Sequence, residues 1–148
     1  MGRGVRLQVR ALARLTLFVD TSVWSLALRR DRPPDLPEVA ALTSALEGGE
    51  QVVTTGLVLQ ELLQGFRGAR AREQIVSRFA ALPLLVPDRD DHVAAAELRT
   101  ACRRKGAQVG TIDALLAQLC LRHELTMLTT DADFARIAAL HPLGVWPS

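Results

Sequence analysis

Leu15-Thr16-Leu17-Phe18-Val19-Asp20 is a short apolar run that ends on an acid, and Thr126-Met127-Leu128-Thr129-Thr130-Asp131 repeats the design near the far end of the chain. A brief, mostly apolar run that stops at polar residues reads as a strand buried on both faces. Working outward from these two, the same reading predicts strands over 15–19, 51–54, 84–86 and 126–129, with a last one over 143–146. Helical periodicity fills the gaps, over 22–30, 38–46, 57–66, 71–81, 90–105, 112–123 and 131–140. In the 112–123 segment, Ile112, Leu115, Leu116, Leu119 and Cys120 follow the i, i+3, i+4, i+7, i+8 stripe of an amphipathic helix. The Pro-rich turn at 31–37, Gly48-Gly49, Pro83, Pro87 and Gly106 supply the stops. Strands alternating with helices, with no hairpin signal between them, imply an α/β fold with a parallel sheet covered on both faces.

The chain has 148 residues, the size of one domain, and 49% of them are apolar. A domain of this length buries roughly 70% of the surface its unfolded chain exposes, so it needs no covalent staples. No segment reaches the length of a membrane span. Cys102 and Cys120 lie inside helical patterns and form no CxxC pair, which predicts buried small hydrophobes in a reducing cytoplasm. The net charge is +2, and seventeen of the eighteen cations are arginine, Lys105 being the exception. Residues 1–14 hold four arginines and no acid. They read as a basic extension, either a disordered arm or an overlong start assignment, ahead of a domain over 15–148.

Four acids stand where a parallel sheet gathers its chemistry. Asp20 ends the first strand, Asp131 ends the fourth, and Asp113 opens the 112–123 helix. Each is also an acceptable helix cap. In an open parallel sheet, however, ligands bind outside the C-terminal strand edge, and Asp20 and Asp131 both arrive there. Crowded carboxylates repel unless one is protonated or a cation sits among them, and hard oxygen ligands select Mg²⁺ or Mn²⁺. Glu61 lies mid-helix beside an apolar stripe, with open space at Gly65, and is either a fourth member or an edge-of-core residue. Asp133 is either a further ligand or a first-turn charge. Asp90, Asp91 and Glu97 read as solvated helix charges. The hydroxyls of Thr21, Ser22, Thr111, Thr129 and Thr130 flank the acids and are placed to bond them, although Ser22 reads mainly as a helix N-cap. No GxxxxGK loop or GxSxG elbow occurs, and no histidine neighbours the acids in sequence.

Four blocks now resemble a known family. Leu-Phe-Val-Asp-Thr-Ser-Val-Trp (17–24), Gln-Glu-Leu-Leu-Gln-Gly (60–65), Thr-Ile-Asp-Ala-Leu-Leu-Ala (111–117) and Leu-Thr-Thr-Asp-Ala-Asp-Phe (128–134) look like the acidic blocks of PIN-domain nucleases. The likeness is to the VapC-like toxins of bacterial toxin–antitoxin pairs. It implies a three-layer α/β/α sandwich whose parallel sheet has four to five strands. It makes Asp20 and Asp113 the principal metal ligands, completed by Glu61 and Asp131, with Asp133 a less essential acid. The resemblance further implies Mg²⁺ or Mn²⁺ dependence, endonucleolytic RNA cleavage leaving a 5′-phosphate and a 3′-hydroxyl, and a homodimer. It also implies a small antitoxin that inserts an Arg or Lys into the acid pocket, in a heterotetramer or larger assembly.

An anionic pocket repels an RNA backbone, so cations must rim it. Arg67, Arg70 and Arg72 after the Glu61 helix are candidates, as are Arg103, Arg104 and Lys105; either cluster is otherwise solvated surface. Two rival readings stay on the table. A receiver-like or haloacid-dehalogenase-like phosphotransfer domain would want a DxD and a strand-end lysine, which Asp20-Thr-Ser and Lys105 do not supply. A non-catalytic PIN-like binding module would be favoured by loss of an acid, and all four are present.

Overall fold

In the computed structural model, residues 15–29 and 33–147 are described; the basic segment 1–14 and part of the Pro-rich turn lie outside them. Five strands, β1 (Leu17–Val19), β2 (Val52–Thr55), β3 (Leu84–Leu85), β4 (Thr126–Leu128) and β5 (Gly144–Val145), form one sheet in the order β3-β2-β1-β4-β5. Every pairing is parallel. Leu17 sits opposite both Val52 and Thr126, which fixes β1 as the central strand. Leu17, Phe18 and Val19 are buried throughout, as a strand covered on both faces requires.

Seven helices are described: α1 (Thr21–Ala27), α2 (Pro37–Glu47), α3 (Gly56–Gly65), α4 (Ala69–Ala80), α5 (Arg89–Arg104), α6 (Thr111–Arg122) and α7 (Ala132–Leu140). The chain runs outward from β1 through β2 to β3, then crosses back to β4 and on to β5. Crossovers between parallel strands are right-handed, so reversing direction along the sheet puts α1–α4 on one face and α5–α7 on the other. Helices α1, α2, α3 and α4 pack on one another, and α5 packs along α6. Trp24 of α1 lies against Phe79 of α4 with ring centroids 4.9 Å apart. Pro37 begins α2, where a missing N–H costs nothing. Gly106, at φ +82°, ends α5 in the left-handed conformation that glycine adopts without penalty.

The predicted elements all appear, with three corrections. Ile112 is 42% exposed and stands off the buried face of α6, which Leu115, Leu116, Leu119 and Cys120 form together with Ala114 and Ala117. Ser22 is not the N-cap of α1: Asp20 is, and Ser22 lies inside the helix. Asp91 is not a solvated charge, since it is only 1% exposed. Its side chain accepts from the Asp88 backbone N–H at 2.9 Å while Asp88 accepts from that of Asp91, a reciprocal capping box. Arg122, on the last turn of α6, reaches Asp91 at 2.6 Å and Asp88 at 3.1 Å.

Burial by itself would raise the Asp91 pKa. The Asp88 N–H, the Arg122 charge and hydrogen bond, and Gln118 outweigh it and hold the carboxyl below its usual range. A depressed folded-state pKa stabilises the protein above the unfolded value and is lost as pH falls through the folded one. Replacing Asp91 by Ala is therefore expected to cost about 1–3 kcal/mol at neutral pH, and the gap to wild type should close in strong acid. Chemical denaturation at several pH values measures this; equal stability at pH 7 would contradict the role assigned to the pair.

Candidate active site

The sheet order puts a switch point between β1 and β4, where successive crossovers leave in opposite directions and a crevice opens at the C-terminal strand edge. Asp20 follows β1 directly and Thr129, Thr130 and Asp131 follow β4, so both arrive at that crevice. The Asp20 backbone N–H donates to Leu128 O at 3.1 Å, tying the two strand ends together.

Asp20 is buried, and its two oxygens have separate tasks. Oδ1 accepts from the backbone N–H and the hydroxyl of Ser22. Oδ2 accepts from Thr129 Oγ1 at 2.7 Å. Thr129 Oγ1 in turn accepts from the Asp131 backbone N–H at 2.9 Å, and Ser22 Oγ accepts from that of Thr130 at 3.0 Å. One threonine thus joins an acid after β1 to the backbone of an acid after β4. Desolvation pushes the Asp20 pKa up, the bonds from Ser22, Thr129 and the Val23 N–H oppose that, and the charge of Asp131 adds to the rise.

Oxygens of Asp113, Asp131 and Asp133 approach within 4.8 Å of one another, a spacing that one cation can bridge. Asp113 comes from the first turn of α6, whose N-cap is Gly110, and Asp131 is itself the N-cap of α7, accepting from the Asp133 N–H at 2.9 Å. Burial, then the charges of Asp131, Asp133, Asp20 and Glu61, raise the Asp113 pKa to about 6. Glu61 of α3 thus lies within the electrostatic reach of the cluster. Asp133 sits closer to Asp113 and Asp131 than its ranking among the acids suggested, and also pairs with Arg136 at 3.0 Å.

The remaining candidates divide. Thr111 is exposed and makes no hydrogen bond to the acids among the described residues, and Thr21 likewise makes none. Arg67 and Arg70 are exposed, whereas Arg72 donates to Leu63 O at 2.8 Å and so helps close the end of α3. Arg103, Arg104 and Lys105 are exposed at the end of α5. Arg99, not singled out by its sequence, lies with Arg103 beside Gly110. Its signal was the i, i+4 spacing from Arg103.

With this geometry in view, the sequence matches the PIN domain family over residues 17–140. The chain belongs to the PIN-domain family. Ribonuclease VapC11 of Mycobacterium tuberculosis is 32% identical to this PIN domain over 126 residues, covering 84% of this chain and 92% of its own. The VapBC2 structure from Rickettsia felis, bound to a DNA fragment from the promoter, superposes with a TM-score of 0.69 at 20% identity. It covers 88% of this chain and 97% of that one. Mycobacterium tuberculosis VapC20, described as a sarcin–ricin loop cleaving toxin, superposes with a TM-score of 0.62 at 20% identity, over 84% and 95% of the two chains. At these identities the two structures establish the fold.

In this PIN domain, the Thr129 bridge between Asp20 and Asp131 has a testable signature. Thr129→Val keeps the shape but leaves the Asp131 N–H and one Asp20 oxygen without their partner. A loss of about 1–2 kcal/mol in stability is expected. Mn²⁺ affinity should fall roughly 10–100-fold, as when groups behind metal ligands are removed. Thr129→Ser should recover both. Calorimetric Mn²⁺ titration checks it, and wild-type affinity in the valine variant would refute the bridge.

Proposed function

We propose that this PIN domain is an endoribonuclease dependent on Mg²⁺ or Mn²⁺ and acts as the toxin of a toxin–antitoxin pair. The observation that carries the reading is the convergence of Asp113, Asp131 and Asp133 at the switch point, with Asp20 and Glu61 adding to their field. The 32% identity to a ribonuclease supports RNA as the substrate.

The donor set fits a hard divalent cation. All its donors are carboxylate oxygens, and burial together with the neighbouring acids disfavours the charged form of Asp113, a penalty that a cation would offset. Asp113, Asp131 and Asp20 would hold it, with Glu61 and Asp133 completing the shell. Such a cation, when bound, acidifies water and offsets charge on phosphoryl oxygens. The protein's own part is orientation and proton transfer. Ser22 and Thr129 fix both oxygens of Asp20, and the cap bond from the Asp133 N–H fixes one oxygen of Asp131. Glu61 or Asp131 takes the proton of the attacking water, leaving a 5′-phosphate and a 3′-hydroxyl.

Without metal the same acids need another counter-charge. An antitoxin arginine or lysine meets that need, a guanidinium engaging two carboxylates at once. A neighbour of this fold, VapBC-5 from Mycobacterium tuberculosis, is a member of the VapBC family of toxin–antitoxin systems, which fits that reading. A homodimer through α3 and α4 is supported by the cleft lined by Leu59, Leu63 and Arg72 and by Val76, which is 52% exposed. Cytoplasmic action suits the free, buried Cys102 and Cys120. No helix among the described residues is long and apolar enough to cross a membrane.

The direct test incubates purified protein with end-labelled RNA and Mg²⁺ or Mn²⁺. Discrete internal cuts are expected, together with growth arrest on induction in a host lacking an antitoxin. Intact RNA would overturn the nuclease, and unaffected growth with active enzyme would overturn the toxin.

A further inference from the structure

A cleft of about 460 Å³ opens beside the acid cluster, lined by Arg99, Arg103, Gln108, Val109 and Gly110. Gly110 belongs to both places: it walls the cleft, and a methyl group added to its Cα would lie 3.7 Å from Asp113 Oδ2. The cleft therefore adjoins the site where the scissile phosphate must sit, under the nuclease reading on which this inference rests.

The two arginines stack one turn apart on α5, at i and i+4. Arg99 Nε donates to Val109 O at 2.7 Å, so its guanidinium is held against the loop that leads into α6 while its other donors stay free. Among the described residues no carboxylate pairs with Arg99 or Arg103. No side chain caps the start of α6 at Gly110, which leaves first-turn N–H groups facing the same neighbourhood. Uncompensated guanidiniums beside an uncapped helix start form a locally positive surface against an acid cluster. Position on the helix selects among the cations. The buried stripe of α5 runs through Asp91, Ala95, Leu98 and Cys102. At 3.6 residues per turn, Arg99 and Arg103 lie about 70° and about 110° to one side of the stripe's centre, whereas Arg104 lies about 150° from it on the other side.

We infer that the Arg99–Arg103 cleft is a phosphate subsite that grips the single-stranded RNA backbone next to the scissile bond, and that Arg104 takes no part in it. The ligand is a phosphodiester of the substrate strand, held by the Arg103 guanidinium with Arg99 as the loop-anchored second donor. The grip is independent of sequence, since it reads backbone charge.

The test measures binding apart from cleavage. A fluorescein-labelled single-stranded RNA of about twelve nucleotides is titrated with protein in EDTA, where anisotropy reports affinity at several salt concentrations. Each phosphate contact on a single strand contributes about 0.7 to the slope of log K against log salt. Arg103→Ala should bind roughly tenfold more weakly at low salt and lose about 0.7 of that slope. Arg103→Lys should keep the slope, and Arg104→Ala should match wild type. In Mg²⁺, Arg103→Ala should raise KM while kcat stays near wild type. Wild-type binding by Arg103→Ala, an equal loss in Arg104→Ala, or no RNA binding by the wild type would each overturn the subsite. Wild-type protein that binds RNA but never cuts it with any divalent metal would instead overturn the nuclease reading.

Discussion

Asp113→Asn is expected to lower RNA cleavage by about a hundredfold or more while the protein stays folded. Asp113 makes no hydrogen bond to the protein among the described residues, so amidation removes a ligand charge with little packing lost. Stability should respond in the opposite sense to activity. A carboxyl whose folded-state pKa is raised to about 6 favours the folded state while protonated and weakens it as pH climbs from about 4 through 6. Without metal at pH 7, Asp113→Asn should therefore melt at or above the wild-type temperature. Asp20→Asn should be as inactive but less benign. Asp20 accepts from Ser22 twice and from Thr129 once, and an amide NH₂ must displace at least one of those donors. A cost of about 1 kcal/mol follows. Cleavage assays beside thermal melts in EDTA read both effects. An active Asp113→Asn enzyme would remove the assignment, and a strongly destabilised one would show that Asp113 serves the fold.

Chelation is expected to have the second large effect. Protein stripped with EDTA should lose cleavage to background and regain it with Mg²⁺ or Mn²⁺. Ca²⁺ should occupy the acids and inhibit, because it accepts more ligands at longer distances. The same binding has a stability signature. Metal at about 100 times its Kd adds about 2.7 kcal/mol to the folded state. Wild type should therefore melt higher with Mn²⁺, and Asp113→Asn should show a much smaller shift. Undiminished cutting after exhaustive chelation would refute the metal-dependent mechanism.

The strands were legible in the sequence because burial on both faces leaves a mark within a few residues: Leu17, Phe18 and Val19 cannot be read as anything half-exposed. Asp20 and Asp131 were visible for the same reason, since each is the first acid after a buried run. Of their two readings, the structure displays the cap, and the cap leaves room for the proposed site role. Each caps its helix with one oxygen and keeps the other for the crevice or for Thr129. What escaped was decided by partners far along the chain. Asp91 resembles any first-turn acid until α6 brings Arg122, 31 residues later, against it. Asp88 and Asp91 did carry a capping-box spacing, which was the available clue. Ser22 passed for a cap because a two-residue shift of the cap, from Ser22 to Asp20, is invisible to periodicity. Arg99 offered only its i, i+4 spacing from Arg103, because its carbonyl partner, Val109, belongs to the following loop.

The central place of β1 also governs when, during synthesis, the acids can first come together. β4 docks beside the first strand, and the Thr129–Asp20 bond joins residues 109 apart. A growing chain emerges N-terminus first, so Asp20, Glu61 and Asp113 leave the ribosome before the strand that aligns them. Until β4 emerges, β1 lacks a neighbour on one side and the acids have no common edge on which to meet. Non-local pairing of this kind also comes late in folding. Under the proposed nuclease reading, a chain that still lacks β4 is thus inert toward RNA, including the message and ribosome producing it, and activity waits for the last acid-bearing segment to emerge.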